Sequence, residues 1–249
     1  METQTTTTLG TPEERPATGG FGRLIGAIVN PRATFADIAR RPTWVLPFLL
    51  FCGLSLVVGA LLGQKTDWHD FFERQMSKNA RLDQMSQAQK DQMLENQVKY
   101  APKVSFLFGF LGTAVTVLFV ALIYWGLFNL FTGAGLRFGQ AFGITSHAFV
   151  PSMIGGVLAI IIILIKPRGE VDPEHFLASS LSAFLPDGSP HWLESLGQSL
   201  ELFWILSLAL LAIGFSAANP KKIKTVPAFL VVFGLWGILV FAKVAWAAL

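Results

Sequence analysis

The chain has 249 residues, of which 52% are hydrophobic and only 14% charged, whereas soluble domains carry about 25% charged residues. That balance excludes an ordinary water-soluble globular domain and implies a membrane solvent. The 19 Lys and Arg against 16 Asp and Glu give a net charge of +3, too small and scattered for a nucleic-acid surface, and one cysteine, Cys52, rules out an intramolecular disulfide or a multi-cysteine metal site.

Residues 1–20 are rich in Thr, Pro and Gly and lack the basic start and apolar core of a secretory signal, so a disordered tail is expected there, followed by one membrane domain over 21–249. Phe21, Leu24, Ile25 and Ile28 share one helical face. Asn30 and Pro31 then cap and open a second helix that carries Phe35 and Ile38 and that Pro42 ends. With Arg23, Arg32, Arg40 and Arg41 beside them, these pieces predict two short amphipathic helices lying on the cytoplasmic interface, their arginines meeting anionic head groups.

Five runs follow that could each cover about 30 Å of hydrocarbon as a helix: residues 45–63, 104–131, 142–165, 200–218 and 226–249. The runs are continuous rather than alternating, which favours helices over barrel strands. The fold class is therefore an all-α polytopic bundle. The fourth run is the least secure, because Glu201 stands at its start and its apolar part reaches only the lower length limit. Between the first two runs, residues 64–103 read as a polar helical loop, with one helix from about Asp67 and a second opened by Ser86 with Gln89 three residues on, the spacing of a capping box. Their apolar residues, among them Trp68, Phe71, Phe72, Leu82 and Leu94, predict a hairpin leaning on the membrane surface. Further on, Asp172 with Pro173 predicts a short helix, and residues 186–190 a turn.

A raw count of basic residues in the connections is a tie between the two sides, but on one side they crowd against helix ends in short connections, with Arg40 and Arg41 before the first run and Lys221, Lys222 and Lys224 before the last. This places the N-terminus in the cytoplasm and, after five crossings, the C-terminus on the opposite face.

The sequence resembles the Yip-domain family, in its bacterial branch, whose eukaryotic members are multi-pass membrane proteins named for interacting with Ypt/Rab GTPases. The resemblance runs from Phe21 to the C-terminus and rests on Asn30-Pro31 with Phe35 and Ile38, on Phe138 to Gly143 leading to Pro151, and on Leu202-Phe203-Trp204 with Gly214. It implies five spans and a cytoplasmic N-terminus, here in a bacterial cytoplasmic membrane, and for the eukaryotic relatives a role in vesicle traffic through partner proteins; fold and topology are what is carried over. GTPase binding is not carried over, because no Asp-Leu-Tyr-Gly-Pro-type motif precedes the first run.

His147, one turn before Pro151, is the main candidate for chemistry inside a span. The blander reading is a neutral histidine bonded to another helix or to a carbonyl that Pro151 frees, and it is preferred because polar side chains often join membrane helices. Asn129 is read as a helix-to-helix bond, and Lys243 as a cation snorkelling to the interface. His69, His175 and His191 are scattered over separate outer loops without metal-ligand spacing. Gly59, Gly109, Gly112, Gly155 and Gly214 begin small-residue pairs four apart, where helices could touch. No catalytic, cofactor or metal residues are assigned and no cofactor is expected. The favoured function is a non-enzymatic membrane interaction, organisation or trafficking-type scaffold, with the bilayer and other membrane proteins as partners, a homo-oligomer left open and no nucleic acid. The alternative is a small transporter or channel using the His147 and Pro151 region.

Overall fold

Helices make up nearly all the regular structure among the described residues, with one isolated antiparallel bridge between Ser180 and Glu201. The structure, a computed structural model, describes residues 19–77, 82, 84–174, 177–186 and 188–248. The expected tail thus lies outside the described residues except for Gly19 and Gly20, as does His175.

Two short helices come first, α1 (Gly20–Val29) and α2 (Pro31–Arg40), meeting where Asn30 and Pro31 predict. Pro31 opens α2, but the Asn30 side chain makes no capping bond. The long helices follow: α3 (Val45–Lys65), then α4 (Trp68–Ser77), then α5 (Gln87–Leu107). Ser86 and Gln89 form the expected capping box, with each side chain meeting the other's backbone. A π turn at Phe108–Gly112 joins α5 to α6 (Thr113–Thr132). The whole stretch Gln87–Thr132 is one helix of 46 residues, about 69 Å at 1.5 Å per residue. Its polar half is therefore the continuation of a span rather than a separate element lying flat on the surface. The cause lies in its composition, since residues 87–101 are mostly Gln, Ala, Lys, Met, Leu and Glu, which are strong helix formers. The hairpin partner is present, with α4 packed along α5.

Beyond the left-handed turns at Gly133 and Gly135, α7 (Phe138–Ala148) and α8 (Val150–Ile165) form one run that breaks at Phe149, just before Pro151. The last three helices are α9 (His191–Ser199), α10 (Leu202–Ala218) and α11 (Thr225–Ala247). By length and composition four helical stretches can cross a membrane: Val45–Lys65, Gln87–Thr132, Phe138–Ile165 and Thr225–Ala247. The expected fourth run, α10, has 17 residues, about 26 Å, and falls short of the others.

Hydrogen bonds divide the bundle into two ends. At end A, Gln140 donates to the Ala39 carbonyl, Asn219 to the Ala134 carbonyl and Arg32 to Thr225 Oγ1. At end B, Gly169 donates to the Lys65 carbonyl, Gln75 to Glu174, and Lys243 to Gln198. Helix α10 begins beside the Ser180 bridge at end B and finishes at Asn219 at end A. It therefore runs the height of the bundle like the four longer stretches. It is also a central helix, with Leu208, Leu211, Ala212 and Phe215 buried against α2, α7 and α11, which frees its short length from having to match the lipid alone.

The core is built at close crossings. Phe35 and Ile38 of α2 are fully buried and join Ile144, Phe128 and Phe215 in one cluster, with the Phe128 and Phe215 rings stacked at 4.5 Å. Gly214 makes this possible, since a Cβ there would lie 2.5 Å from Ile144 Cγ2 and 3.0 Å from Phe35. Gly155 faces the Phe203 ring in the same way, at 2.8 Å. Gly155→Leu, which forces a side chain into the Phe203 ring, should therefore cost more stability in detergent than His147→Ala, which leaves a cavity and removes one bond within its own helix but pushes no helices apart. Thermal unfolding of the two variants checks this, and an equal or larger loss for His147→Ala would contradict it.

Candidate functional site

His147 is fully buried, and its Nδ1 lies 2.8 Å from the Gly143 carbonyl one turn back on its own helix. That partner is neither another helix nor a carbonyl freed by Pro151. Its Nε2 and the neighbouring Thr145 Oγ1 are buried without a hydrogen-bond partner among the described residues. Glu201 is not near it, because Ile144 packs beside Gly214, more than three turns along α10 from Glu201. Glu201 instead caps α10, its two carboxylate oxygens accepting from the Phe203 and Trp204 backbone N–H groups at 3.0 and 2.6 Å. An acidic residue opening an apolar helix is a legible cap signal, although the sequence reading treats it as a weakness of the span.

Asn129 serves a turn rather than a second helix. Its side chain donates to the Leu136 carbonyl at 3.0 Å and accepts from the Leu136 N–H at 2.8 Å. Trp125 Nε1 donates to the same carbonyl at 2.7 Å, so the connection from α6 to α7 is held by three bonds. Lys243 stays exposed and reaches Gln198 Oε1. His69 falls with Asp70 and Glu73 in an exposed group on α4, and His191 stands elsewhere, at the start of α9.

Two places combine chemistry that the sequence reading did not join. The first is at end A, where Arg23 is 4% exposed rather than in the head groups. Its Nε and Nη2 donate to Asp37 Oδ2 at 3.0 and 2.8 Å, and its Nη1 donates to the Arg41 carbonyl and to Thr43 Oγ1 at 3.0 and 2.6 Å. One guanidinium thus ties α1 to α2 and to the entry of α3, matching its fork of donors to acceptors from three segments. With Arg23 turned inward beside Leu24 and Ala27, the opposite face of α1 is exposed, including Phe21, Ile25, Ile28 and Val29. Arg32, Arg40, Arg41, Lys221, Lys222 and Lys224 are exposed at the same end.

The second place is a cleft of about 530 Å³ toward end B, between the π turn and α8 with α3 behind them. Here Ser105 Oγ donates to the Gly59 carbonyl at 2.9 Å, and Gly109 faces the Ser55 carbonyl, so α3 and the π turn meet almost backbone to backbone. Single π turns within α-helices are frequent at functional sites. Gly63 makes a similar approach to Pro102, whereas Gly112 meets only Phe108 of its own helix and supports no crossing.

A family model described as Yip1 domain matches residues 25–245. No curated protein and no solved structure matches the chain significantly. The match takes in α2 through most of α11 and so covers the long helices and the cleft, while Arg23 lies two residues before its start, and the chain belongs to the Yip1 domain family.

Proposed function

We propose that this chain is a non-enzymatic membrane scaffold of the bacterial cytoplasmic membrane, organising other membrane proteins through end A. It crosses the bilayer five times, α10 being the fourth crossing, with its N-terminus cytoplasmic and its C-terminus on the opposite face. Residues 21–249 act as one membrane unit behind the tail 1–20. The observation that carries this reading is the face at end A, where an exposed apolar stripe on α1 is held rigidly by Arg23 beside a set of exposed cations. The cations at end A crowd against helix ends in short connections, whereas an equal number at end B is spread over longer ones, and the crowding matches the cytoplasmic side of a membrane protein. An apolar stripe rimmed by charge suits both the interface and a partner helix. The transport alternative draws nothing from the site, since His147 and Pro151 are buried and neither lines the cleft.

A photoreactive residue placed at Ile28 in the native membrane should form adducts with other membrane proteins, or with a second copy of this chain. Ile25→Asp should abolish them. One placed at Leu239, on the outward face of α11, should report mainly lipid. Lipid adducts alone at both positions would overturn the scaffold reading.

A further inference from the structure

The cleft toward end B has the length and polarity of one phospholipid leaflet. Its residues on α3 run from Phe51 to Leu62, a rise of about 17 Å, and one leaflet supplies half of a hydrocarbon core about 30 Å thick. Its volume, about 530 Å³, lies inside the roughly 300–1,000 Å³ typical of small-molecule sites. The walls along this length are apolar or small, with Phe51, Val58, Phe108 and Gly156. At the end-B mouth they become polar, with Ser179, Gln198 and the carboxylates of Glu174 and Glu201. Neither lysine nor arginine is among the lining residues, and although Lys243 Nζ reaches Gln198 Oε1 at 3.4 Å at the rim, the two carboxylates of the mouth outnumber that one cation, so the mouth complements a cationic group. Each Glu201 oxygen accepts one backbone N–H, which leaves further acceptor capacity on both.

We propose that this cleft holds one acyl chain of a phospholipid whose headgroup carries an amine, such as phosphatidylethanolamine, with the ammonium against Glu174 and Glu201. Carboxylates at an interface gain from a charge-assisted bond to ammonium. An anionic headgroup would meet like charge. The assignment needs only that end B lie at a membrane interface, on either face, so it stands or falls separately from the scaffold reading.

The full chain, reconstituted into nanodiscs with equal parts phosphatidylethanolamine and phosphatidylglycerol of matched chains, can be ejected and weighed by native mass spectrometry. One retained lipid is expected, with phosphatidylethanolamine favoured about tenfold. Glu174→Gln should lower that preference several-fold while a lipid is still retained. Gly156→Phe should lose the lipid. A Cβ at that position meets only Leu54 Cβ at 3.8 Å, so the backbone has room and the added ring fills the cleft. Phosphatidylethanolamine with a photoactivatable acyl chain should crosslink wild-type protein within residues 51–62, 105–109 or 152–159, a readout that requires no variant to fold. Equal retention of the two lipids, full retention by Gly156→Phe, or crosslinks confined to the outward faces of α6 and α11 would overturn the assignment.

Discussion

Asp37→Ala is expected to destabilise the protein in detergent by about 3 kcal/mol, because removing one partner of a buried ion pair leaves an uncompensated charge. The charge left behind is the Arg23 guanidinium, which is 4% exposed and retains only the Arg41 carbonyl and the Thr43 hydroxyl. Arg23→Met is expected to cost less, roughly 1 to 2 kcal/mol, since water can screen the carboxylate it leaves. Asp37 is 33% exposed, so the two ends of the pair are unequal. The double variant Arg23→Met with Asp37→Leu should recover most of the loss of Asp37→Ala, because replacing both charges by apolar groups removes the desolvation cost with the attraction. Thermal unfolding of the three variants measures the ordering. A larger loss for Arg23→Met than for Asp37→Ala would mean that the bonds to the connection between α2 and α3, and not the ion pair, hold the N-terminal helices.

Gly59→Ala should be at least as damaging, at about 3 kcal/mol, near the upper end for overpacking a filled interface. Its added Cβ would collide with the Ser105 carbonyl, and that atom belongs to a backbone that cannot rotate aside. Moving α5 away also lengthens the bond from Ser105 Oγ to the Gly59 carbonyl and opens the neighbouring approach of Gly109 to Ser55. Gly53→Ala on the same helix is the control, since nothing lies within 4 Å of a Cβ there. That variant should be neutral or stabilising by up to about 1 kcal/mol from helix propensity. Similar losses for the two would show that glycine flexibility, rather than the close crossing, is what α3 needs.

Signals that act within a few residues were readable from the chain. The capping box at Ser86 and Gln89 and the Pro31 start each depend on neighbours less than two turns away, and the hydrophobic runs on contiguous composition. All-α membrane architecture followed from them. Span number was harder, because α10 is short by length yet runs between both ends of the bundle, and only its partners reveal that. Features that depend on distant segments were misread. Arg23 looked like a head-group contact because its acceptors stand 14 to 20 residues on. Asn129 looked like a bond between helices because the turn it holds comes after its own helix has ended. The outer hairpin looked separate because polarity changes along residues 87–132 while helical structure does not, and amphipathic pattern reports solvent rather than continuity. The cleft had no local signature, since its walls come from five helices, the π turn and an irregular connection.

Five crossings with end A in the cytoplasm is the central claim, and α10 is the crossing on which it turns. In a Cys52→Ala background, single cysteines replacing Gln92, His191 and Lys221, all exposed, can be treated with a membrane-impermeant maleimide in intact spheroplasts and again after permeabilisation. Positions 92 and 191 should label in intact spheroplasts, and position 221 only once the membrane is opened. If 191 and 221 label alike, α10 does not cross, and the five-crossing topology with the C-terminus on the face opposite end A is contradicted.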